Sequence, residues 1–254
     1  GFEAALAVEF ARRNADVVAV ARRTDRLEDV AGRVRESGRR CLILPCDVTR
    51  DGDQEIAVER ALDEFGRLDW VVANAGFGVA GAVHKLELED YRRQFETNIY
   101  GVLRTVRATR EALIESGGVV ALMGSVTSYV SLPVSSPYSM SKHAVKALAD
   151  SLRAEMSRRG VAVTLLAPGF VESEIRQVDN KGERHEHAND PIPSWLRMDT
   201  AVAAKKMVRA IIKRKRVTVI TLHGKVFVFI ERHFPWLMAA LARPMGDRKR
   251  HRDV

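Results

Sequence analysis

A doubly wound α/β domain on a mostly parallel sheet is the fold class this sequence predicts, and two observations predict it. Short apolar runs rich in β-branched residues alternate with longer stretches of helical periodicity, and no repeat or low-complexity linker interrupts the alternation. At 254 residues, with 46% hydrophobic and 29% charged composition, the chain is long enough for one such domain. In order, "AALAVEFARR" reads as an opening helix. "ADVVAVA", "RCLILPC", "LDWVVANAG", "GVVALMGS", "VAVTLLAPG" and "VTVI" read as strands. Their continuous apolar character, rather than an in-out alternation, fits parallel strands covered on both faces. "SSPYSMSKHAVKALADSLRAEMSRRG" carries the period of a long helix. The expected division is a main domain over residues 1–220 and a basic, partly apolar extension over 221–254.

Cys41 and Cys46 are the only cysteines and fall in or beside one strand run, where buried free thiols are expected. That fits a reducing compartment and a cytoplasmic location. No secretory apolar region and no clean run of eighteen apolar residues appears, so a soluble or surface-associated protein is expected. The net charge of +8 is uneven. Residues 205–252 hold fourteen Lys/Arg against Glu231 and Asp247, a net of +12, which leaves −4 on the remainder. The runs "IIKRKRV" and "RKRHR" read first as solvated helix end and tail, and second as a weak peripheral contact with an anionic membrane surface; nucleic acid is not an expected partner. "KVFVFIERHFPWLMAALARP" is apolar but broken by Glu231, Arg232, His233 and Pro235, too interrupted to span a bilayer. A cover over a cleft, a subunit contact or an interfacial anchor suits it, in that order.

In "GSVTSYVSLPVSSPYSMSK", Ser125 precedes a Tyr138-x-x-x-Lys142 pair by thirteen positions. On a helix, Tyr138 and Lys142 lie one turn apart on the same face. An ammonium beside a phenol favours the phenolate, which brings the phenol towards trading a proton with a substrate oxygen, while Ser125 can donate a hydrogen bond to that oxygen. A Tyr-x-x-x-Lys pair alone is weak, and its neighbours decide the matter. Asn98 in "ETNIYG" lies forty residues before Tyr138, and "CDVT", "ANAG" and "APGFVES" each close an apolar run.

Together these motifs resemble the short-chain dehydrogenase/reductase family in order and spacing, from residue 1 to about residue 220. The resemblance implies a Rossmann-like domain and an oxidoreductase that moves a hydride between NADP and the carbonyl or secondary alcohol of a fairly apolar small molecule. It implies a catalytic tetrad of Asn98, Ser125, Tyr138 and Lys142, with Lys142 also bonding the nicotinamide ribose and Asn98 positioning a water. Arg22 and Arg23 follow the first strand run where an acidic side chain would suit an unphosphorylated ribose, and a guanidinium fork suits a 2′-phosphate. Asp47 and Val48 resemble the residues that flank the adenine; Asn74, Ala75 and Gly76 those whose backbone passes the cofactor. Pro168, Gly169, Val171 and Ser173 resemble the motif that holds the nicotinamide carboxamide, with Ser173 in place of the usual Thr. A mobile substrate lid is expected from about Glu174 to Met198, and His185, Glu186 and His187 within it do not make a metal site. Pairing through the helices of Asn98 and Tyr138 implies a homodimer or homotetramer. A non-catalytic relative acting as a scaffold or membrane-surface protein stays open as the alternative.

The family pattern places a strand and a turn of the form T-G-x-x-x-G-x-G before the opening helix. Alignment makes Gly1 the second glycine, also a cofactor-binding position, and puts Glu3 at the third. The expectation is therefore an incomplete sequence that lacks a central strand, leaves two neighbouring strands with unpaired backbone, and binds NADP poorly because the Glu3 carboxylate faces the pyrophosphate position.

Overall fold

A computed structural model describes residues 2–172, 180 and 192–247. Gly1, Ser173, His185, Glu186, His187 and most of the expected lid lie outside the described residues.

Strands form at all six apolar runs: β1 (Val17–Ala21), β2 (Cys41–Pro45), β3 (Trp70–Ala73), β4 (Val119–Met123), β5 (Ala162–Ala167) and β6 (Val217–Val219). Between and after them stand α1 (Phe2–Ala11), α2 (Asp25–Glu36), α3 (Asp53–Phe65), α4 (Leu88–Phe95), α5 (Gly101–Ser116), α6 (Ser136–Ser157), α7 (Thr200–Ile212), α8 (Leu222–His233) and α9 (Pro235–Asp247). Every strand pairing is parallel, with Val17 opposite Cys41, Trp70 opposite Val119, Val119 opposite Ala162 and Leu165 opposite Val217. β4 is buried at all five positions, as its unbroken apolar sequence requires. Val119, Ala121 and Met123 face a layer made by Leu6 and Phe10 of α1 and by Ala203, Met207 and Ile211 of α7. Val120 and Leu122 face the opposite layer, made by Val106 and Leu113 of α5 and by Val145, Ala149 and Leu152 of α6. The period of two along the strand thus assigns each residue to one helical layer.

The strand order is β2-β1, then β3-β4-β5-β6. From β1 the chain steps outward to β2, returns across the molecule to β3, and then steps outward the other way. In a doubly wound sheet, the crevice for a ligand lies at such a reversal, beyond the carboxyl ends of the strands. Here the reversal is also an interruption. β1 and β2 make a two-stranded sheet, the other four strands make a second one, and among the described residues no strand pairs with the remaining edge of β1 or of β3. Val20 is 43% exposed and Trp70 37%, high values for strand residues at the middle of the strand order, and both line the slot, where no strand stands among the described residues. A cavity of about 1890 Å³ opens along both edges and runs up to the carboxyl ends of the strands. Phe10 leans over its lower part and stacks on Trp70 at 5.8 Å between ring centroids.

Of the two cysteines, Cys46 is buried as expected, and its surroundings raise its pKa to about 11, through burial first and then Asp53 and Asp47. Cys41 corrects the expectation by being only half-buried, because it opens β2, the outer strand of its sheet. Among the described residues no helix is long and apolar enough to cross a membrane. The 221–254 extension begins as two helices, α8 and α9, divided at Phe234 and Pro235.

The two open edges generate a stability prediction. Glu3, in the first turn of α1, bonds Asn74 just past β3, so α1 starts at the carboxyl end of the strands. A strand leading into α1 would therefore run parallel to both β1 and β3. Fusing a β-forming segment of about a dozen residues ahead of Gly1 is expected to raise the melting temperature by roughly 5 °C or more, since 1 kcal/mol is worth about 2–4 °C in a domain of this size. An unchanged melting temperature would show that the slot does not accept a strand.

Candidate active site

Five strand ends and one helix deliver the predicted residues to a single cleft. Arg22 and Arg23 follow β1, Asp47 and Val48 follow β2, Asn74 to Gly76 follow β3, Ser125 follows β4, and Pro168, Gly169 and Val171 follow β5. All of them line the cavity, together with Tyr138 and Lys142 from the first turns of α6. Asn98 lies beneath it and is fully buried.

α6 begins at Ser136 with Pro137 in its first turn, where a missing N–H is not needed by the helix. Tyr138 and Lys142 are thus one turn apart, and the Lys142 ammonium lies 5.6 Å from the Tyr138 ring centroid. Lys142 is buried and donates a hydrogen bond of 2.8 Å to the Met123 carbonyl at the end of β4. Burial penalises the charged form and lowers its pKa to about 8. Ser125 is also buried. Its hydroxyl oxygen accepts the Thr127 N–H at 3.1 Å while its own N–H donates to Ser128 Oγ, which fixes the side chain and leaves the hydroxyl proton to be donated into the cleft.

Asn98 sits in a π-helical turn, residues 96–100, between α4 and α5. Single π turns of this kind are often found at functional sites. Its amide donates to the Phe77 carbonyl at 3.1 Å and to Ser141 Oγ at 3.1 Å, and its carbonyl accepts the Phe77 N–H at 3.2 Å. Asn98 therefore ties the loop after β3 to α6. Space beside Gly76 is tight: a Cβ would stand 3.0 Å from Asn98 Oδ1, so that amide would have to shift by a few tenths of an ångström to admit a side chain.

Arg22 and Arg23 are both exposed at the cleft. Burial alone would push the Asp47 carboxyl up, but hydrogen bonds from the Thr49 N–H and hydroxyl, with Arg22 nearby, hold it below its ordinary value. The Val48 side chain packs against Gly101, where a Cβ would come within 2.8 Å. Asn74 donates to Glu3 Oε1 at 2.9 Å, so the carboxylate expected to disturb the cofactor position is engaged with a residue expected to serve it. Asn180, inside the expected lid, bonds both the N–H and the carbonyl of Ala80.

Three residues escaped the sequence reading. Gln94 is wholly buried and clamps the loop after β3, accepting the Val79 N–H at 2.7 Å and donating to the Phe77 carbonyl at 2.8 Å. Its one signal is its place four residues before Asn98, which puts both amides on one helix face. Ser141 accepts from Asn98 and donates to the Tyr138 carbonyl at 2.7 Å. His223, on α8, accepts the Phe170 N–H at 3.0 Å and crowds Gly169, where a Cβ would lie 2.5 Å from its ring. Burial lowers the His223 pKa, which favours the neutral ring that this acceptor role needs. Nothing local in the sequence announces a contact across fifty-three residues.

A sequence model of the short chain dehydrogenase family matches residues 1–184. The 11-beta-hydroxysteroid dehydrogenase A of Sesamum indicum is 32% identical over 223 residues, covering 85% of this chain and 64% of that protein. An A-factor type gamma-butyrolactone 1'-reductase (1S-forming) of Streptomyces virginiae is 36% identical over 169 residues, 65% of this chain and 66% of its own. The chain spans just under two thirds of the length of these two curated relatives. Among solved structures, an alcohol dehydrogenase from Thermococcus sibiricus complexed with 5-hydroxy-NADP superposes with a TM-score of 0.74 at 26% identity, covering 86% of this chain and 91% of that one. A short chain dehydrogenase/reductase from Burkholderia phymatum in complex with NAD shares the fold, with a TM-score of 0.82 at 22% identity over 93% of this chain and 91% of its own.

Burial of the Lys142 ammonium gives a prediction with a pH signature. A lysine whose pKa falls from 10.5 to about 8 destabilises the fold by about 3 kcal/mol while it is charged in both folded and unfolded states. Lys142→Met keeps the apolar stem and loses the charge and its hydrogen bond. It is expected to be about 1–2 kcal/mol more stable than the parent at pH 7. Between pH 8 and 10.5 the unfolded chain binds the proton more tightly than the folded one, so the parent gains stability relative to the variant as pH rises. Denaturant melts of both proteins from pH 6 to 10.5 check this; a gap that does not narrow above pH 8 would contradict the assignment.

Proposed function

Because the chain belongs to the short-chain dehydrogenase family, we propose that it is an NADP-dependent oxidoreductase acting on the carbonyl or secondary alcohol of a fairly apolar small molecule. The observation that carries this reading is the convergence of Ser125, Tyr138 and Lys142 on one cleft, braced from below by Asn98. The relatives support it, being named as dehydrogenases or reductases.

The donor set fits a dinucleotide at both ends of the cleft. Arg22 and Arg23 present exposed guanidinium groups suited to a 2′-phosphate, with Asp47 and Val48 beside the adenine. Asn74, Ala75 and Gly76 would offer a close-lying backbone, and Pro168, Gly169 and Val171 would hold the carboxamide end; Gly1 and Ser173 complete the proposed set. When bound, the nicotinamide supplies or accepts the hydride. In reduction Tyr138 donates its phenolic proton to the substrate oxygen as hydride reaches the carbon, and in oxidation it takes that proton back. Ser125 donates a hydrogen bond to the same oxygen and so stabilises the charge that develops there. Lys142 places positive charge beside Tyr138 and favours the phenolate left after proton transfer. Its lowered pKa keeps it within reach of exchanging a proton near neutrality. Asn98 holds the loop and α6 in register and anchors the path by which a proton is replaced. A homodimer or homotetramer paired through the helices carrying Asn98 and Tyr138, in the cytoplasm, completes this reading.

A second reading, a non-catalytic scaffold, is favoured by one observation: the Glu3 carboxylate stands at the first turn of α1 bonded to Asn74, where an anionic ligand would meet it. Fluorescence titration with NADPH separates the two, since no binding by the folded chain would leave only the scaffold.

Tyr138→Phe is expected to bind NADPH normally and to lose about a thousandfold in kcat. Near-parental turnover at saturating cofactor would refute the proton-donor role. NADPH is expected to be preferred over NADH by about 10- to 1000-fold in kcat/KM, and Arg22→Ala with Arg23→Ala to erase that preference. Glu3→Gln is expected to tighten NADPH binding about two- to fivefold; equal affinity would remove Glu3 from the cofactor site.

A further inference from the structure

The outer face of α8 and α9 has no use in the proposed reaction, and it carries a cluster of exposed large apolar residues. Among the described residues, α8 packs through one side. Phe227, Val228 and Ile230 pack with Val126, Val130 and Met238, and His223 bonds the Phe170 N–H, so the helix cannot roll to hide its other side. That other side carries Leu222, Val226 and Phe229, spaced four and three residues apart in one stripe, exposed by 76%, 49% and 57%. Phe234 and Trp236 at the helix junction and Leu241 on α9 are also exposed. Exposed cations flank these groups: Lys225 and Arg232 on α8, Arg243 on α9. The sequence continues past α9 as Arg248, Lys249, Arg250, His251 and Arg252.

We propose that this face docks on the surface of an anionic lipid bilayer, with the apolar stripe and Trp236 at the level of the headgroups and the cations against lipid phosphates. An aromatic and aliphatic stripe bordered by Lys and Arg is the composition of a helix that lies in the interface plane. The charge decides among occupants. A second copy seated on the same face would bring Lys225, Arg232 and Arg243 against like charges, whereas an anionic bilayer neutralises them.

Sedimentation of the full 254-residue chain with vesicles tests the proposal. Binding is expected to phosphatidylserine-containing vesicles, at least tenfold weaker to pure phosphatidylcholine vesicles, and about tenfold weaker in 0.5 M than in 0.1 M NaCl. Leu222→Ser/Val226→Ser/Phe229→Ser is expected to reduce binding tenfold or more. Lys225→Glu/Arg232→Glu, which leaves the stripe intact, is expected to reduce it about fivefold per reversed charge. All of these side chains are on the exposed side, so the thermal melts of the variants should match the parent. Absence from the pellet at both salt concentrations overturns the proposal, as does equal binding to neutral vesicles. So does a monomer–dimer equilibrium abolished by the Ser variant without any vesicle binding, which would give the face to a second copy.

Discussion

Lys142 places a charged group in a buried position and satisfies it with a backbone carbonyl. An ammonium taken out of water is costly unless an acceptor receives it, and the acceptor here is Met123 at the carboxyl end of β4. That hydrogen bond joins the first turns of α6 to β4, an inner strand of the larger sheet. It sets Tyr138 one turn nearer the helix start, where its ring can face the cleft beside Gly78. Asn98 Oδ1 closes in on Gly76 beside it, 3.0 Å from where a Cβ would stand. Burial of the ammonium costs stability at this point and lowers its pKa.

Around this seat the polar groups act as braces. Asn98, Gln94 and Ser141 spend their hydrogen bonds on backbone groups of Phe77, Val79 and Tyr138, so the loop after β3 and the start of α6 are held by side chains rather than by strand pairing. The π turn at 96–100 is what aims Asn98 at that loop from a helix that otherwise packs by the usual period. On the far side, Thr221 and His223 crowd Gly169, and the Val126 N–H donates to the Pro168 carbonyl. The strand ends are therefore cross-tied on both flanks of the cleft, and α8 is one of the ties.

The same order does not extend across the sheet. β4 and β5 are buried almost throughout, while β1 and β3 each carry an exposed large apolar residue beside the slot. Because the slot opens at the reversal of strand order, the space for a ligand and the break in the sheet are one continuous cavity. It is larger than the roughly 300–1000 Å³ usual for a small-molecule site. Backbone edges left in that state rely on α1 for cover, through Phe10 on Trp70 and the packing of Leu6 and Phe10 with α7.

The sequence by itself determined the strands, the parallel layering and the main catalytic candidates. Each of these is local: an apolar run has to be buried on both faces, and a Tyr-x-x-x-Lys pair on a helix has to share a face. Only the tertiary structure decided the rest. Gln94 and His223 act on backbone groups seventeen and fifty-three residues away, and no periodicity encodes such a meeting. Cys41 became half-buried because its strand lies at the sheet edge, a matter of strand order rather than of residue type. Glu3 came to bond Asn74 because the start of α1 and the end of β3 face each other across the cleft. The physical reason is common to all three: local spacing fixes which side chains share an element and a face, whereas contacts between elements depend on how the whole chain is layered.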